Sequence, residues 1–382
     1  MQKIRTAMIG TGFMGIVHTE AIRRLGNIEV ATVAASSEAK AKAFAEQMYI
    51  PAATADWESV MRDPGVQAVH ICTPNALHHP MAKLAIENGK HVLCEKPLTM
   101  TSGEARELLQ LAEAKGVAHA TNHNLRYYPA VQQIRQMVAA GELGEILAVQ
   151  GTYSQDWLLY DTDYNWRIEA EHNGKLRAMG DIGSHWMDMV QHLTALPITS
   201  VCGELTTFHK TRKKPKGSVQ TFTGKTLSPD EYQHIPIDTD DFGAVLLHLG
   251  DRARGAFTVS QISAGNKNSF RFEIYGTKSG VAWNQERPDE LWIGHRNSPN
   301  QVIVKDGSLF HPAAAAFAEL PGGHSEGYDD SHKNLFKRFY RRVADAGAAI
   351  DYPTFADGLR GMVLLEAVAE SSARRGWVDI AL

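Results

Sequence analysis

Apolar and polar positions alternate on two different periods along the chain, and the change of period divides it. In the first third, short apolar runs alternate with stretches of helical period. Ile4–Gly10, Ile28–Ser36, Val66–Pro74, the run beginning at His91 and Val117–Asn124 read as buried strands. Ile16–Leu25, Glu38–Met48, Pro80–Asn88 and Thr101–Lys115 read as helices between them, the last opening on a capping-box pair, Thr101 and Glu104. Apolar strands joined by amphipathic helices predict right-handed crossovers and a parallel sheet covered on both faces. After Asn124 the pattern changes. A helix over Pro129–Ala140 leads to Glu145–Trp157, followed by longer alternating segments at Ile198–Thr207, Phe242–Leu249, Ala253–Ile262, Ser269–Tyr275 and Gly280–Trp283. These predict a mostly antiparallel sheet. The polar stretch His209–Asp238 reads as an excursion from that sheet, and its basic run HKTRKKPKG as a solvated loop. A last helix, Phe355–Ala373, suits packing on either part.

The fold class is therefore α/β: an N-terminal Rossmann-type doubly wound parallel sheet over residues 1–124, then an α+β domain with an open, mostly antiparallel sheet over residues 125–382. Composition adds little. Apolar residues make up 43% and charged residues 21% of the chain, and the net charge of −4 gives no general reason to expect nucleic acid or an anionic membrane as a partner. No apolar stretch is long enough to span a bilayer. The first apolar run is short and broken by glycine, so no signal peptide is expected. Cys72, Cys94 and Cys202 form no Cys-x-x-Cys pair and fit reduced thiols in a cytoplasmic protein.

The chemistry is concentrated at strand ends. GTGFMG places Gly10, Gly12 and Gly15 directly after the first strand and before the first helix, with Phe13 and Met14 between. In that context Gly10 makes the tight turn, Gly12 lets a pyrophosphate approach the backbone, and Gly15 lets helix and strand pack closely. A dinucleotide is the expected ligand, held at the helix N-terminus. The second strand ends in VAASSEAKAK. Ala35 stands where an acidic residue usually binds the ribose hydroxyls of NAD, Ser36 and Ser37 follow, and Lys40 and Lys42 are close. The cofactor is thus NAD(P), with NADP slightly favoured, although Glu38 lies nearby.

HVLCEKPL sets Glu95, Lys96 and Pro97 at the tip of an apolar strand, where a surface ion pair and a lysine held over a substrate are the competing readings. In GDIGSHWMDMVQHL, Asp181 and His185 are four apart and share one face of a helix, with Asp188 a turn beyond His185. An N-cap and a core histidine are the bland readings of that pair. Seventeen histidines raise metal binding, with Asp181/His185 and His324/Glu326 as candidates. No tight Cys/His constellation supports it, and no metal is expected.

GTGFMG, CTPNALHHPMAKLAIENGKHVLCEKPL and GDIGSHWMD together resemble the glucose–fructose oxidoreductase/inositol dehydrogenase/MocA group of NAD(P)-dependent sugar dehydrogenases over nearly the whole chain. The resemblance implies that Thr73, Pro74, Asn75 and His78 approach the cofactor, with Glu95 and Lys96 beside the nicotinamide. It implies a lysine, Lys96, near the reacting hydroxyl, followed by a cis bond to Pro97. Asp181 and His185 would face the substrate, His185 as base while Lys96 polarises the oxygen, or with a Lys96–Asp181 relay as the variant. Arg126, from NLRYYP, matches a pocket-lining arginine. Tyr153, Gln155, Trp157, Trp166 and Arg167 offer aromatic faces and planar polar groups that suit sugar rings. His324, in GGHSEGYDD, matches a loop that reaches the pocket. The implied activity is oxidation of a secondary hydroxyl of a sugar, glycoside or cyclic polyol by hydride transfer, with pyranose carbon 3 as one position, in a homodimer or homotetramer. The rivals are a hydrolase or lyase of the same family with no net redox change, and a non-enzymatic sugar or nucleotide sensor.

Overall fold

The computed structural model describes residues 3–217 and 228–381. Part of the polar excursion read from the sequence, residues 218–227, lies outside the described residues. The chain forms two compact units. Unit one holds residues 1–124 and 329–362; unit two holds residues 125–328 and 363–382.

The first part of unit one alternates strand and helix: β1 (Ile4–Ile9), α1 (Phe13–Arg23), β2 (Ile28–Ala34), α2 (Glu38–Gln47), β3 (Ala52–Thr54), α3 (Trp57–Arg62), β4 (Ala68–Ile71), α4 (His78–Glu87), β5 (His91–Cys94), α5 (Ser102–Lys115) and β6 (His119–Thr121). The six strands are parallel, in the order β3-β2-β1-β4-β5-β6. The order reverses beside β1, which places the ends of β1 and β4 next to each other at the switch point where open α/β sheets bind ligands. Ala68, Val69, Ile71, Val92, Leu93 and Cys94 are all fully buried, as a sheet covered on both faces requires. Both reciprocal bonds of the Thr101/Glu104 capping box are present at the start of α5. Short β3 and α3 were not read from the sequence, since three and six residues are too few to establish a period.

Unit two is built on one large sheet. Its elements run α6 (Pro129–Ala139), β7 (Ile146–Ser154), α7 (Ala170–Asn173), a π-helical turn at Met179–Gly183, α8 (Ser184–Thr194), β8 (Ile198–Thr206), β9 (Thr211–Pro215), β10 (Tyr232–Pro236), β11 (Phe242–Leu249), β12 (Ala253–Ser260), β13 (Ser269–Gly276), β14 (Gly280–Asn284), β15 (Glu290–Gly294), β16 (Gln301–Val304) and α9 (Pro312–Ala315). The chain closes with α10 (Tyr328–Ala344), α11 (Phe355–Arg374) and β17 (Val378–Asp379). The nine-stranded order is β16-β15-β14-β13-β7-β12-β11-β8-β17. Every pairing is antiparallel except β7 with β12, which a hairpin-only reading of the alternation does not anticipate.

α8 lies on the middle of this sheet, and the reason is legible in β7. A Cβ at Gly151 would stand 2.7 Å from the indole nitrogen of Trp186. The missing side chain lets Trp186 stack flat on Phe257, ring centroids 4.4 Å apart, and donate from Nε1 to the Arg271 carbonyl. That contact locates α8, and with it His185 and Asp188.

Two readings are corrected. The sequence runs the second domain unbroken from 125 to 382, but residues 329–362, most of α10 and the start of α11, belong to unit one. The basic run is no free loop: β9 pairs with β10 as a two-stranded ribbon. Its Arg212 is fully buried and donates to Asp241 and to the carbonyls of Leu158 and Tyr160. Lys213 and Lys214 pair with Asp161 and Glu169.

Candidate active site

The glycines of unit one take the three roles their spacing requires. Gly10 has φ +109°, and a Cβ there would lie 2.6 Å from the Cys72 carbonyl oxygen at the end of β4. A Cβ at Gly15 would overlap the Gly10 carbonyl oxygen. At Gly12 nothing lies within 4 Å. The turn is therefore closed on the protein side and open on the side where a phosphate approaches. Gly12 is also the N-cap of α1 and brings no side chain to the first N–H groups. Those donors and the helix dipole suit an anion, so the residues present fit a dinucleotide. Phe13 is exposed and Met14 half-buried beside them.

At the end of β2, Ser37 caps α2 by accepting from Lys40 N, and the Lys40 ammonium donates to Ser36 Oγ at 3.2 Å. Glu38 accepts from Ala55 N, so its carboxylate is committed to the β3 side. After β4, buried Asn75 opens a short turn into α4. The ring nitrogens of His78 face the carbonyls at two strand ends, Pro97 at 2.9 Å and Thr73 at 3.0 Å, and the neutral ring donates to one of them. Burial holds His78 below the usual histidine range. Lys96–Pro97 is the cis bond. Lys96 is half-buried at the tip of β5. Glu95 does not form a surface ion pair. It is buried and accepts from Asn122 Nδ2 at 2.6 Å and from Lys96 N at 3.2 Å, with His18 Nε2 at 2.9 Å. Burial alone would raise its pKa, but His18, the Lys96 charge and Asn122 outweigh burial and bring it down to about 2.

In unit two a polar cluster surrounds Asp181. Gln261 Nε2 donates to Asp181 Oδ2 at 2.9 Å, and Arg167 Nε stands 3.7 Å from Oδ1. Gln261 in turn accepts from Arg177 at 3.3 Å. That bond fixes the amide so that its NH2 end points at the carboxylate. Trp157 Nε1 donates to Gln155 Oε1 at 2.8 Å, while Gln155 Nε2 and the Tyr153 hydroxyl both donate to Asn268 Oδ1. His185 is buried on α8, with its ring 6.4 Å from that of Tyr153. Burial, then the Asp181 charge, pushes the Tyr153 hydroxyl well above its usual range, so it stays a donor. Asp181 is no N-cap. It lies inside the π turn, whose first N–H groups are instead satisfied by Asp240, which accepts from Arg177 N and Met179 N.

A family model for the oxidoreductase family with an NAD-binding Rossmann fold matches residues 4–123, and one for the GFO/IDH/MocA C-terminal domain matches residues 131–282. The chain belongs to the Gfo/Idh/MocA family of oxidoreductases. Levoglucosan dehydrogenase of Pseudarthrobacter phenanthrenivorans is 30% identical over all of this chain and 99% of its own length. The structure of levoglucosan dehydrogenase in complex with NADH and L-sorbose superimposes with a TM-score of 0.89 at 28% identity, covering both chains completely. An inositol dehydrogenase homologue from Azotobacter vinelandii, complexed with NAD+, gives a TM-score of 0.85 at 26% identity over 99% of this chain and 97% of that one.

Two of the residues that the resemblance puts in the pocket have contacts of their own in this structure. Arg126 makes a two-point pair with Asp188, through Nε at 2.7 Å and through its terminal nitrogen, and both side chains are buried. The pair ties the turn before α6 to α8. His324 is exposed and lies 3.4 Å from the Gly322 carbonyl, while neighbouring Glu326 is buried against Lys305 at 2.8 Å. Glu326, not His324, anchors that loop. Among the described residues no three His, Cys, Asp or Glu side chains are grouped as a metal site. Gln261, Asn268, His18 and Asn122 were not read from the sequence. The available signal was a polar residue set directly at the end of an apolar strand, as in FTVSQ.

Proposed function

We propose that this NAD(P)-dependent oxidoreductase oxidises a secondary hydroxyl on the ring of a sugar, glycoside or cyclic polyol. The observation that carries the reading is the cluster around Asp181: one carboxylate, the amides of Gln155, Gln261 and Asn268, the guanidinium of Arg167 and the indole of Trp157. Such a set offers paired donors and acceptors and a flat apolar face, which is what a polyhydroxylated ring presents in return. The full-length likeness to levoglucosan dehydrogenase, solved with NADH and a sugar, supports the same class.

When bound, the nicotinamide supplies the hydride acceptor; the protein supplies the rest. Gly12 and the N-terminus of α1, in the turn that Gly10 and Gly15 shape, would hold the pyrophosphate, with Phe13, Met14, Thr73, Pro74, Asn75 and His78 lining the approach. Lys96 polarises the reacting oxygen, and His185 takes the hydroxyl proton. Asp181, kept aimed by Gln261, accepts from a ring hydroxyl and sets the orientation. Tyr153, Gln155, Trp157 and Arg167 hold the remaining hydroxyls. Pyranose carbon 3 is one candidate position. Ser36 and the Lys40 ammonium at the end of β2, with Glu38 turned to Ala55, support NADP as cofactor.

The test is a panel of pyranoses, anhydrosugars and cyclic polyols with NAD+ and NADP+, followed at the reduced nicotinamide band with product analysis. Ketone product with one equivalent of reduced nucleotide is expected. Cleaved glycoside without net reduced nucleotide, or binding without turnover, overturns the reading.

A further inference from the structure

Glu95 ends a buried chain of polar groups that the hydride-transfer reading does not use. His18 Nε2 lies 2.9 Å from Glu95 Oε1, His18 Nδ1 lies 2.9 Å from His70 Nδ1, and His70 Nε2 lies 2.9 Å from the Tyr340 hydroxyl. Both histidines are fully buried, packed against Phe336. Any nitrogen left without a partner there bears its full desolvation cost.

With neutral rings, chemistry admits one direction. A carboxylate only accepts, so His18 carries its proton on Nε2. Its Nδ1 then accepts, which requires the His70 proton on Nδ1. His70 Nε2 accepts in turn from Tyr340 O–H. Cys72 Sγ also faces His18 Nδ1 at 3.3 Å, and burial keeps that thiol protonated, a second donor toward the same accepting nitrogen. An imidazolium at His18 would still donate to Glu95 but would reverse the His18–His70 and His70–Tyr340 bonds and offset the charge of Glu95.

We propose that His18 and His70 are positioning residues: the one-way chain Tyr340→His70→His18→Glu95 holds Glu95 as a carboxylate with His18 neutral, and so fixes the backbone of Lys96, whose N–H donates to Glu95. The idea rests on the role given to Lys96 above. It explains why a carboxylate is buried at that strand tip at all. Besides His18, the titratable groups that act on Glu95 or on the chain include Lys96, Cys72, Cys94, His78 and His332.

The decisive experiment reads tautomers in the full-length wild-type chain with 15N-labelled histidine near neutral pH. A 15N–15N coupling across the shared hydrogen bond identifies the His18/His70 pair. His18 protonated on Nε2 alone and His70 on Nδ1 alone is expected. A doubly protonated His18, or His70 protonated on Nε2, overturns the chain. Activity provides the second arm. His18→Leu should lower kcat by about tenfold or more with dinucleotide Kd within about twofold, whereas His18→Gln, whose amide still donates to Glu95, recovers most of the loss. Equal effects of the two variants, or none, overturn the positioning role. If the Lys96 reading itself were wrong, Lys96→Ala would keep its turnover while the tautomers stayed as described.

Discussion

The Cβ that Gly15 lacks would collide with the carbonyl oxygen of Gly10, so the first helix can start where it does only because residue 15 is glycine. Gly12, midway between them, has open space on its exposed side. The same motif therefore separates into folding glycines and a binding glycine. Gly10→Ala or Gly15→Ala should destabilise unit one by about 2–4 kcal/mol. Gly12→Ala should unfold within about 1 kcal/mol of wild type yet bind dinucleotide about tenfold or more weakly. Urea unfolding and fluorescence titration check both; a Gly12→Ala chain with unchanged nucleotide affinity would remove the phosphate assignment.

On the role proposed for Lys96 at the reacting oxygen, Lys96→Ala should reduce kcat by about 10²–10⁴ while leaving dinucleotide Kd nearly unchanged, since the phosphate-binding turn is intact. Stopped-flow reduction and equilibrium titration measure the two quantities. Turnover at wild-type rate would end the catalytic assignment.

Gln261→Leu removes the amide that holds Asp181 and leaves Arg177 facing an apolar group. A hydrogen bond to a charged group is worth about 1.5–3 kcal/mol, so kcat/KM for the sugar should fall about 10- to 100-fold. Nucleotide affinity should not change. Steady-state kinetics with sugar and nucleotide varied independently checks this, and a loss confined to nucleotide KM contradicts it.

Ala35→Asp introduces a carboxylate at the end of β2, next to Ser36 and the Lys40 ammonium that Ser36 holds. It should favour ribose hydroxyls over a 2′-phosphate and shift the kcat/KM ratio toward NAD+ by about tenfold. An unmoved ratio refutes the reading of this strand end.

Burial, against a small opposing effect of Asp357, holds His119 down to about 4, below the ordinary histidine value of 6.5. The folded chain thus keeps the ring neutral where the unfolded chain binds a proton. The associated stability is complete above pH 6.5 and is lost as pH falls toward 4, by about 3 kcal/mol. Glu95, lowered to about 2, adds a second loss in the same direction between pH 4.5 and 2. Urea midpoints between pH 7 and 4 should fall in wild type and flatten in His119→Asn, whose side-chain oxygen still accepts from Phe355 N in place of the ring. Parallel curves would sink the assignment to His119.

What the sequence determined by itself is local. The glycine turn, the capping box at Thr101, the cis Lys96–Pro97 bond that the family motif implies, and the alternation that separates a parallel sheet from an antiparallel one all depend on near neighbours, and all stand in the structure. α10 was not read from the sequence: Leu335, Phe336, Phe339 and Tyr340 do recur at helical spacing, but the polar residues of its first turns, Asp330, His332, Lys333 and Asn334, read as the continuation of a loop. Tertiary structure decided which polar groups meet. Arg126 finds Asp188 at 62 residues' separation, His18 finds Glu95 at 77, and Gln261 finds Asp181 at 80. No residue spacing encodes such pairs. Each is selected when strand order brings two distant ends together and burial makes an unpaired charge or amide too costly to leave.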